Sequence, residues 1–257
     1  MNWKVAWDCA IGTSHQKQGI PCQDYGDCLI FDDHVIVGAV ADGAGSAKHS
    51  DVGSKLAVET VLKCFSEINK YPHKQASSQP LSKEEAEEVF AKIVSEVITK
   101  LQKQADEKDY SVNDLACTLL IFVANSDCVA AMQIGDGFIV MRSQESEYKL
   151  LFQPDKGEFA NETTFITSTN AVKNMQVEVI SEKQEFICAS TDGLEKVAIR
   201  LSDWKPFSPF FKPLEEYLHE TVNPKDDKYL TEFLNSERLN SRTDDDKTLL
   251  LCLFDRE

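Results

Sequence analysis

The sequence predicts an α+β fold, with antiparallel sheets covered by helices, on three observations. Short runs rich in Val, Ile, Leu and Ala fall into two blocks, and helical periodicity is gathered apart from them instead of alternating with them. Within the blocks, two or three turn-forming residues separate neighbouring runs: Asp32-Asp33, Asn125-Ser126-Asp127 and Gly135-Asp136-Gly137, the spacing of hairpins. No internal repeat, low-complexity tract or flexible linker interrupts the pattern.

Residues 3–12, 28–31 and 34–41 read as strands, the last two forming a hairpin across Asp32-Asp33. From Ser50 onward, Val52, Leu56, Ala57, Val61, Cys64 and Phe65 recur near helical spacing, and the polar stretch from Tyr71 to Pro80 ends that helix. Ser82-Lys83-Glu84-Glu85 is a capping box, in which the serine oxygen accepts from the Glu85 N–H while the glutamate reaches back. Behind it, Ala86, Val89, Phe90, Ile93, Val94, Val97, Ile98, Leu101 and Ala105 form one wide apolar stripe, so a helix packed on one side is expected. Residues 115–124, 128–134 and 138–141 then read as a three-stranded antiparallel meander. Residues 143–185 are polar and weakly periodic, long enough for a surface excursion that carries function. Sheet character returns at 186–190, residues 214–234 have helical tendency after a Pro-punctuated segment, and 248–254 form a continuous apolar strand.

A chain of 257 residues is long enough to bury most of its apolar surface. Its 27 Lys+Arg against 43 Asp+Glu give a formal charge of −16, which repels phosphate backbones and anionic headgroups; nucleic-acid and membrane partners are not expected. Bound cations could neutralise part of that excess. MNWKVAWDCAIG lacks an apolar run after a basic start, and LACTLLIFVA is too short to span a bilayer, so a soluble, cytoplasmic protein is expected. The eight cysteines contain no C-x-x-C pair and several sit in apolar runs, where a free thiol behaves as a small hydrophobe. The sequon Asn161-Glu162-Thr163 matters only in a secreted chain and is discounted.

Aspartates close several of the apolar runs: Asp42 in VADGAGS, Asp136 in IGDG and Asp192 in STDGLE. Asp24 in PCQD and Asp245 or Asp246 in DDDKT complete the set. Taken singly, each Asp-Gly is turn chemistry, because Asp bonds its own backbone and Gly accepts positive φ. As a set they suggest a shared site. Oxygen-only ligands favour hard cations such as Mg²⁺ or Mn²⁺ over zinc. Two such ions about 3.5–4 Å apart can share a water, lower its pKa and let hydroxide attack phosphorus. An EF-hand lacks its alternating ligands and loop glycine here, and neither a P-loop nor a G-x-S-x-G elbow occurs.

The order of GTSH, PCQD, VADGAGS, IGDG, STDGLE and DDDKT resembles the metal-dependent serine/threonine phosphatases of type 2C across essentially the whole chain. GTSHQKQGIPCQD with GEFANETTFIT is most similar to a bacterial-type branch. That resemblance implies a single domain over 1–257, built as a four-layer α-β-β-α sandwich with two central antiparallel sheets and a flap over about 143–185. It implies two or three Mn²⁺ or Mg²⁺ ions and hydrolysis of phosphoserine and phosphothreonine in a phosphorylated protein substrate. Asp42 then matches the aspartate bridging two metals, the Gly43 carbonyl a ligand of one, and Asp192 and Asp245 the ligands of the other. Asp24 matches a residue that orders metal-bound water or joins a third metal, and Asp136 the third-metal aspartate.

Some positions depart from the family pattern. His15 stands where the family grips phosphate with arginine and remains a possible phosphate contact, although an imidazole cannot make a bidentate clamp. Gln23 stands where some relatives carry a metal-ligating glutamate. Ala44 occupies the place of a histidine proposed as general acid, which leaves metal-bound water or His49 for that task. The alternative to an enzyme is a catalytically weak module that uses the same fold to bind a phosphoprotein or partner. Phe207, Phe210 and Phe211 are expected to pack, with docking as the other use.

Overall fold

The middles of the central strands are apolar on both sides, because each sheet is covered on both faces. The computed structural model describes residues 2–31, 34–69, 82–144, 146–152 and 163–255. Its strands are β1 (Asn2–Ala10), β2 (Tyr25–Phe31), β3 (Val35–Ala41), β4 (Leu119–Ala124), β5 (Val129–Ile134), β6 (Phe138–Arg142), β7 (Lys149–Leu150), β8 (Gln176–Ile180), β9 (Phe186–Ser190), β10 (Ile199–Arg200), β11 (Lys205–Pro206) and β12 (Lys247–Asp255). The helices are α1 (Thr13–Gln18), α2 (Ser50–Asn69), α3 (Lys83–Lys108), α4 (Glu195–Ala198), α5 (Ser208–Glu220), α6 (Tyr229–Leu234) and α7 (Glu237–Asn240). One antiparallel sheet has the order β1-β12-β9-β6-β7 and the other β2-β3-β4-β5-β8.

Alternation along single strands accounts for the layers, since successive side chains point to opposite faces. In β12, Leu249, Leu251 and Leu253 pack with Phe211, Leu214 and Leu218 of α5, whereas Leu250, Cys252 and Phe254 enter the core between the sheets. In β3, Ile36 and Val40 face that inter-sheet core, while Val37, Ala39 and Ala41 pack with the stripe of α3 and with Ala57, Val58 and Val61 of α2. The result is the expected four-layer order, helix, sheet, sheet, helix.

The capping box forms as read: Glu85 N–H donates to Ser82 Oγ at 3.2 Å, and Glu85 Oε2 accepts from the Ser82 N–H at 2.9 Å. The β2–β3 hairpin pairs Phe31 with Val35; its Asp32-Asp33 turn, the stretch 71–80 and the sequon residues 161–162 lie outside the described residues. Two expectations need correction. Residues 112–115 form a 3₁₀ turn, and β4 begins only at Leu119. The meander also ends after two strands: β4 pairs with β5, but β6 pairs with β7 and β9 in the facing sheet. Gly135, at φ 110°, turns the chain out of one sheet, and only a glycine adopts that angle without strain. The helical tendency over 214–234 resolves into α5 and α6, separated by a 3₁₀ turn at Pro224–Asp226. Phe211 is buried, and Phe210 packs on Phe211 and Phe233 at centroid distances of 5.0 and 5.8 Å. Phe207 is exposed.

Register brings the aspartate loops together. Ala10 pairs with Lys247, Leu249 with Ser190, and Ser190 with Phe138 in one sheet. In the other, Tyr25 pairs with Ala41 and Leu119 with Ile134. The strand ends next to Asp24, Asp42, Asp136, Asp192 and Asp245 therefore lie at one end of the sandwich.

Candidate active site

At that end a cleft of about 210 Å³ is lined by Asp42, Asp136, Asp192 and Asp245, with His15, Gln23, Gly43, Ala44, Thr118 and Thr163 among the other lining residues. Each of Asp42, Asp136 and Asp192 offers a carboxylate oxygen within 4.8 Å of the other two, the one such cluster of His, Cys, Asp or Glu among the described residues. Among the described residues no lysine or arginine lines the cleft.

Backbone pairing sets Asp42. Its N–H donates to Thr118 Oγ1 at 3.0 Å, and its carbonyl accepts from the Thr118 N–H at 2.8 Å, so β3 continues past Ala41 against the start of β4. The Gly43 N–H donates to the Gln23 carbonyl at 3.1 Å, which ties the PCQD segment to the same corner. Asp136 sits in the turn made by Gly135, and its Oδ2 accepts from Thr163 Oγ1 at 2.6 Å. The excursion expected over 143–185 thus reaches the cleft through Thr163 and Phe165; residues 153–162 lie outside the described set. Asp192 begins a short turn whose Gly193 cannot carry a side chain, since a Cβ there would sit 1.8 Å from the Asp246 carbonyl oxygen. Asp245 is exposed, lines the cleft beyond the triad, and accepts from the Asp246 N–H at 2.9 Å.

Asp24 is buried behind the triad, where its Oδ2 accepts from Thr191 Oγ1 at 2.7 Å. Burial pushes its carboxyl up to about 8, the neighbouring Asp246 and Asp192 adding to the shift while hydrogen bonds from Thr191 and Asp42 oppose it. Burial also raises Asp42 well above the usual carboxylate range, reinforced by Asp24 and Asp192. Asp192 is pushed up to about 7, first by burial and then by the charges of Asp136 and Asp245. Carboxylates crowded in this way resist ionising together unless something positive lies between them. An all-oxygen donor set with no lysine or arginine among the described lining residues fits a hard divalent ion.

The sequence offered Asp246 only as the alternative to Asp245, and the other supporting residues escaped that reading. Asp246, 3% exposed, turns away from the triad and accepts from the Gly12 and Gln23 N–H groups, both at 2.6 Å, and pairs with His15 Nδ1 at 2.9 Å. Lys247 is fully buried and donates to Asn240 Oδ1 at 3.0 Å and to the Asp245 carbonyl at 3.3 Å, holding the Asp245 loop; burial lowers its pKa. Thr191 and Thr118 each adjoin an expected site element, the only sequence signal they carry. His49 does not line the cleft: its ring stacks on Tyr110 at 3.9 Å and 15°, so the acid role considered for it has no support.

Comparison with known proteins agrees with this geometry. The family model described as protein phosphatase 2C matches residues 11–235. The chain is 32% identical over 261 residues to serine/threonine-protein phosphatase 3 of Escherichia coli (strain K12), covering 99% of each chain. Among solved structures, the S. agalactiae serine/threonine phosphatase superposes with a TM-score of 0.65 at 16% identity, over 98% of this chain and 100% of that one. A bacterial serine phosphatase gives 0.63 at 13%, over 100% and 99%. With the family model matching most of the chain and a curated relative matching nearly all of it, the chain belongs to the protein phosphatase 2C family and is a protein phosphatase.

Proposed function

We propose that the chain hydrolyses phosphoserine and phosphothreonine esters in proteins, as one domain, using two or three Mn²⁺ or Mg²⁺ ions. Asp42 and the Gly43 carbonyl would hold the first ion, with Asp42 shared by a second that Asp192 and Asp245 complete; Asp136 would hold a third. Such ions, once bound, supply the reaction with an acidified water as nucleophile and offset the charge on the phosphate oxygens. The protein's own part is to keep the ligands in place. Thr118 anchors the Asp42 backbone, Lys247 and Asp246 fix the Asp245 loop, and Thr163 restrains Asp136. The observation that carries the reading is the Asp42, Asp136 and Asp192 triad, three carboxylates within 4.8 Å in a cleft with no lysine or arginine among its described lining residues.

The excursion from 143 acts as a flap beside the substrate, supported by the contact from Thr163 to Asp136. A reducing, cytoplasmic setting is supported by eight cysteines, all free. Among the described residues no helix is long and apolar enough to cross a membrane. The binding-module alternative draws on His15 standing in place of arginine, which weakens phosphate capture without removing any ligand. Two measurements decide between them: calorimetric titration with Mn²⁺, and hydrolysis of a phosphothreonine peptide with and without chelator. Binding of two or more ions with chelator-sensitive turnover is expected; a chain that binds no divalent ion, or turnover unaffected by chelator, rules the enzyme reading out.

A further inference from the structure

We propose that His15 is the proton donor to the departing serine or threonine oxygen, and that Asp246 is the positioning residue that orients its ring. The step rests on the phosphatase reading above and adds to it the identity of the general acid. Three observations point there. Of the described side chains that line the cleft, His15 alone can act as a nitrogen acid, because no lysine or arginine is among them and Ala44 offers only a methyl group. His49, the other histidine near Gly43 in sequence, is held against Tyr110 outside the lining. The third is the pairing of His15 Nδ1 with Asp246 Oδ2 at 2.9 Å.

Asp246 is built for orientation. Its carboxylate lies 3% exposed and accepts from two backbone N–H groups, of Gly12 at the start of α1 and of Gln23. The Ser14 N–H adds a bond to the Asp244 carbonyl at 3.0 Å, so the segment carrying His15 is clamped to the loop before β12. A carboxylate only accepts, so the ring places its Nδ1–H toward Asp246, and in the imidazolium form Nε2 carries the proton that can be given away. This is the arrangement of an acid or base oriented by a third group.

In the step, the oxygen of water forms a bond to phosphorus while the ester P–O bond breaks. Its electron pair stays on the leaving oxygen, which takes the Nε2 proton. Free alcohol and inorganic phosphate result, the phosphate keeping the protons of the attacking water, and the neutral imidazole regains a proton from solvent. A p-nitrophenolate, a weak base with delocalised charge, leaves without protonation; a strongly basic alkoxide does not, which supplies the discriminating test.

The full chain loaded with Mn²⁺ is assayed on p-nitrophenyl phosphate and on a phosphothreonine peptide, as wild type, His15→Gln and His15→Asn. Both variants are expected to lose about a hundredfold or more in kcat on the peptide and only a few-fold on the aryl ester. An equal loss on both substrates, or a rise in KM with kcat retained, would show a phosphate contact and overturn the step while leaving the phosphatase reading intact. A wild type inactive on both substrates, by contrast, removes the parent reading. Independently of turnover, ¹⁵N NMR of the metal-free chain, assigned by difference with His15→Gln, is expected to show His15 protonated at Nδ1. Asp246→Asn should change that signal. A wild-type ring with bare Nδ1 overturns the orienting role.

Discussion

The two ends of β6 bury acidic groups in opposite ways. Beyond Arg142, at its C-terminal end, Glu215 of α5 is buried against a cation: Arg142 Nε donates to its two oxygens at 3.1 and 3.0 Å, the Arg142 guanidinium makes a further close contact, and Tyr148 Oη donates at 2.5 Å. That hydrogen bonding to Glu215 raises the arginine pKa, so the guanidinium keeps its charge. About 20 Å away, six residues back at about 3.3 Å per residue, Asp136 joins Asp42 and Asp192, and no lysine or arginine among the described lining residues meets them. The first acid is part of the framework that pins α5 to its sheet. The second group leaves its charge problem to whatever binds. Burial alone therefore does not mark a functional carboxylate; the missing counter-charge does.

The comparison breaks most visibly if an acid of the open end is removed. Asp192→Ala is expected to lower Mn²⁺-dependent turnover by about a thousandfold, several kcal/mol of charge stabilisation at the transition state, without lowering the melting temperature of the metal-free chain. Parallel kinetics and thermal denaturation check both halves. Glu215→Ala at the closed end should do the reverse. It costs about 3 kcal/mol in urea unfolding, at the low end for a broken buried pair because Arg142 still reaches Glu185 at 3.6 Å, while kcat of the folded protein stays put.

The pH dependence sharpens the contrast further. Asp192 and Asp24, raised to about 7 and about 8, bind protons in the folded state that the unfolded chain has already released near 4. Their contribution is complete below about pH 4 and is lost as pH rises through about 7 to 8. The metal-free chain should therefore be less stable at pH 8 than at pH 6, by about 1–3 kcal/mol, and Mn²⁺ should restore more stability at pH 8 than at pH 6. Urea titrations at the two pH values, with Mn²⁺ and with chelator, measure it; a metal-free chain more stable at pH 8 would contradict the crowding. The smallest effect belongs to Thr163→Val, which removes the donor to Asp136 Oδ2. About 1 kcal/mol is at stake, so weakest-site Mn²⁺ affinity should change less than about tenfold by calorimetry.

How much of this was legible depended on the range of the interaction concerned. α3 was read correctly with its capping box, because a cap and an apolar stripe are decided within a few residues of chain. β12 was read as a continuous apolar strand, and the reason is a burial on both faces that leaves no polar alternation to find. The same signal failed at β6. Gly135-Asp136-Gly137 looks like a hairpin turn whether the next strand pairs with its predecessor or crosses to the other sheet, and the partner strand β9 lies about fifty residues later.

The acidic residues divide along the same line. Their types and their places at strand ends were determined by the sequence alone, and the oxygen-only chemistry of the site followed from that. Which neighbour does what was decided by tertiary structure. Asp245 and Asp246 are adjacent and chemically identical, yet one lies open at the cleft and the other is buried under backbone N–H groups of Gly12 and Gln23. Successive residues entering a strand point to opposite sides, and only the packing of segments more than two hundred residues apart determines which side holds the cleft.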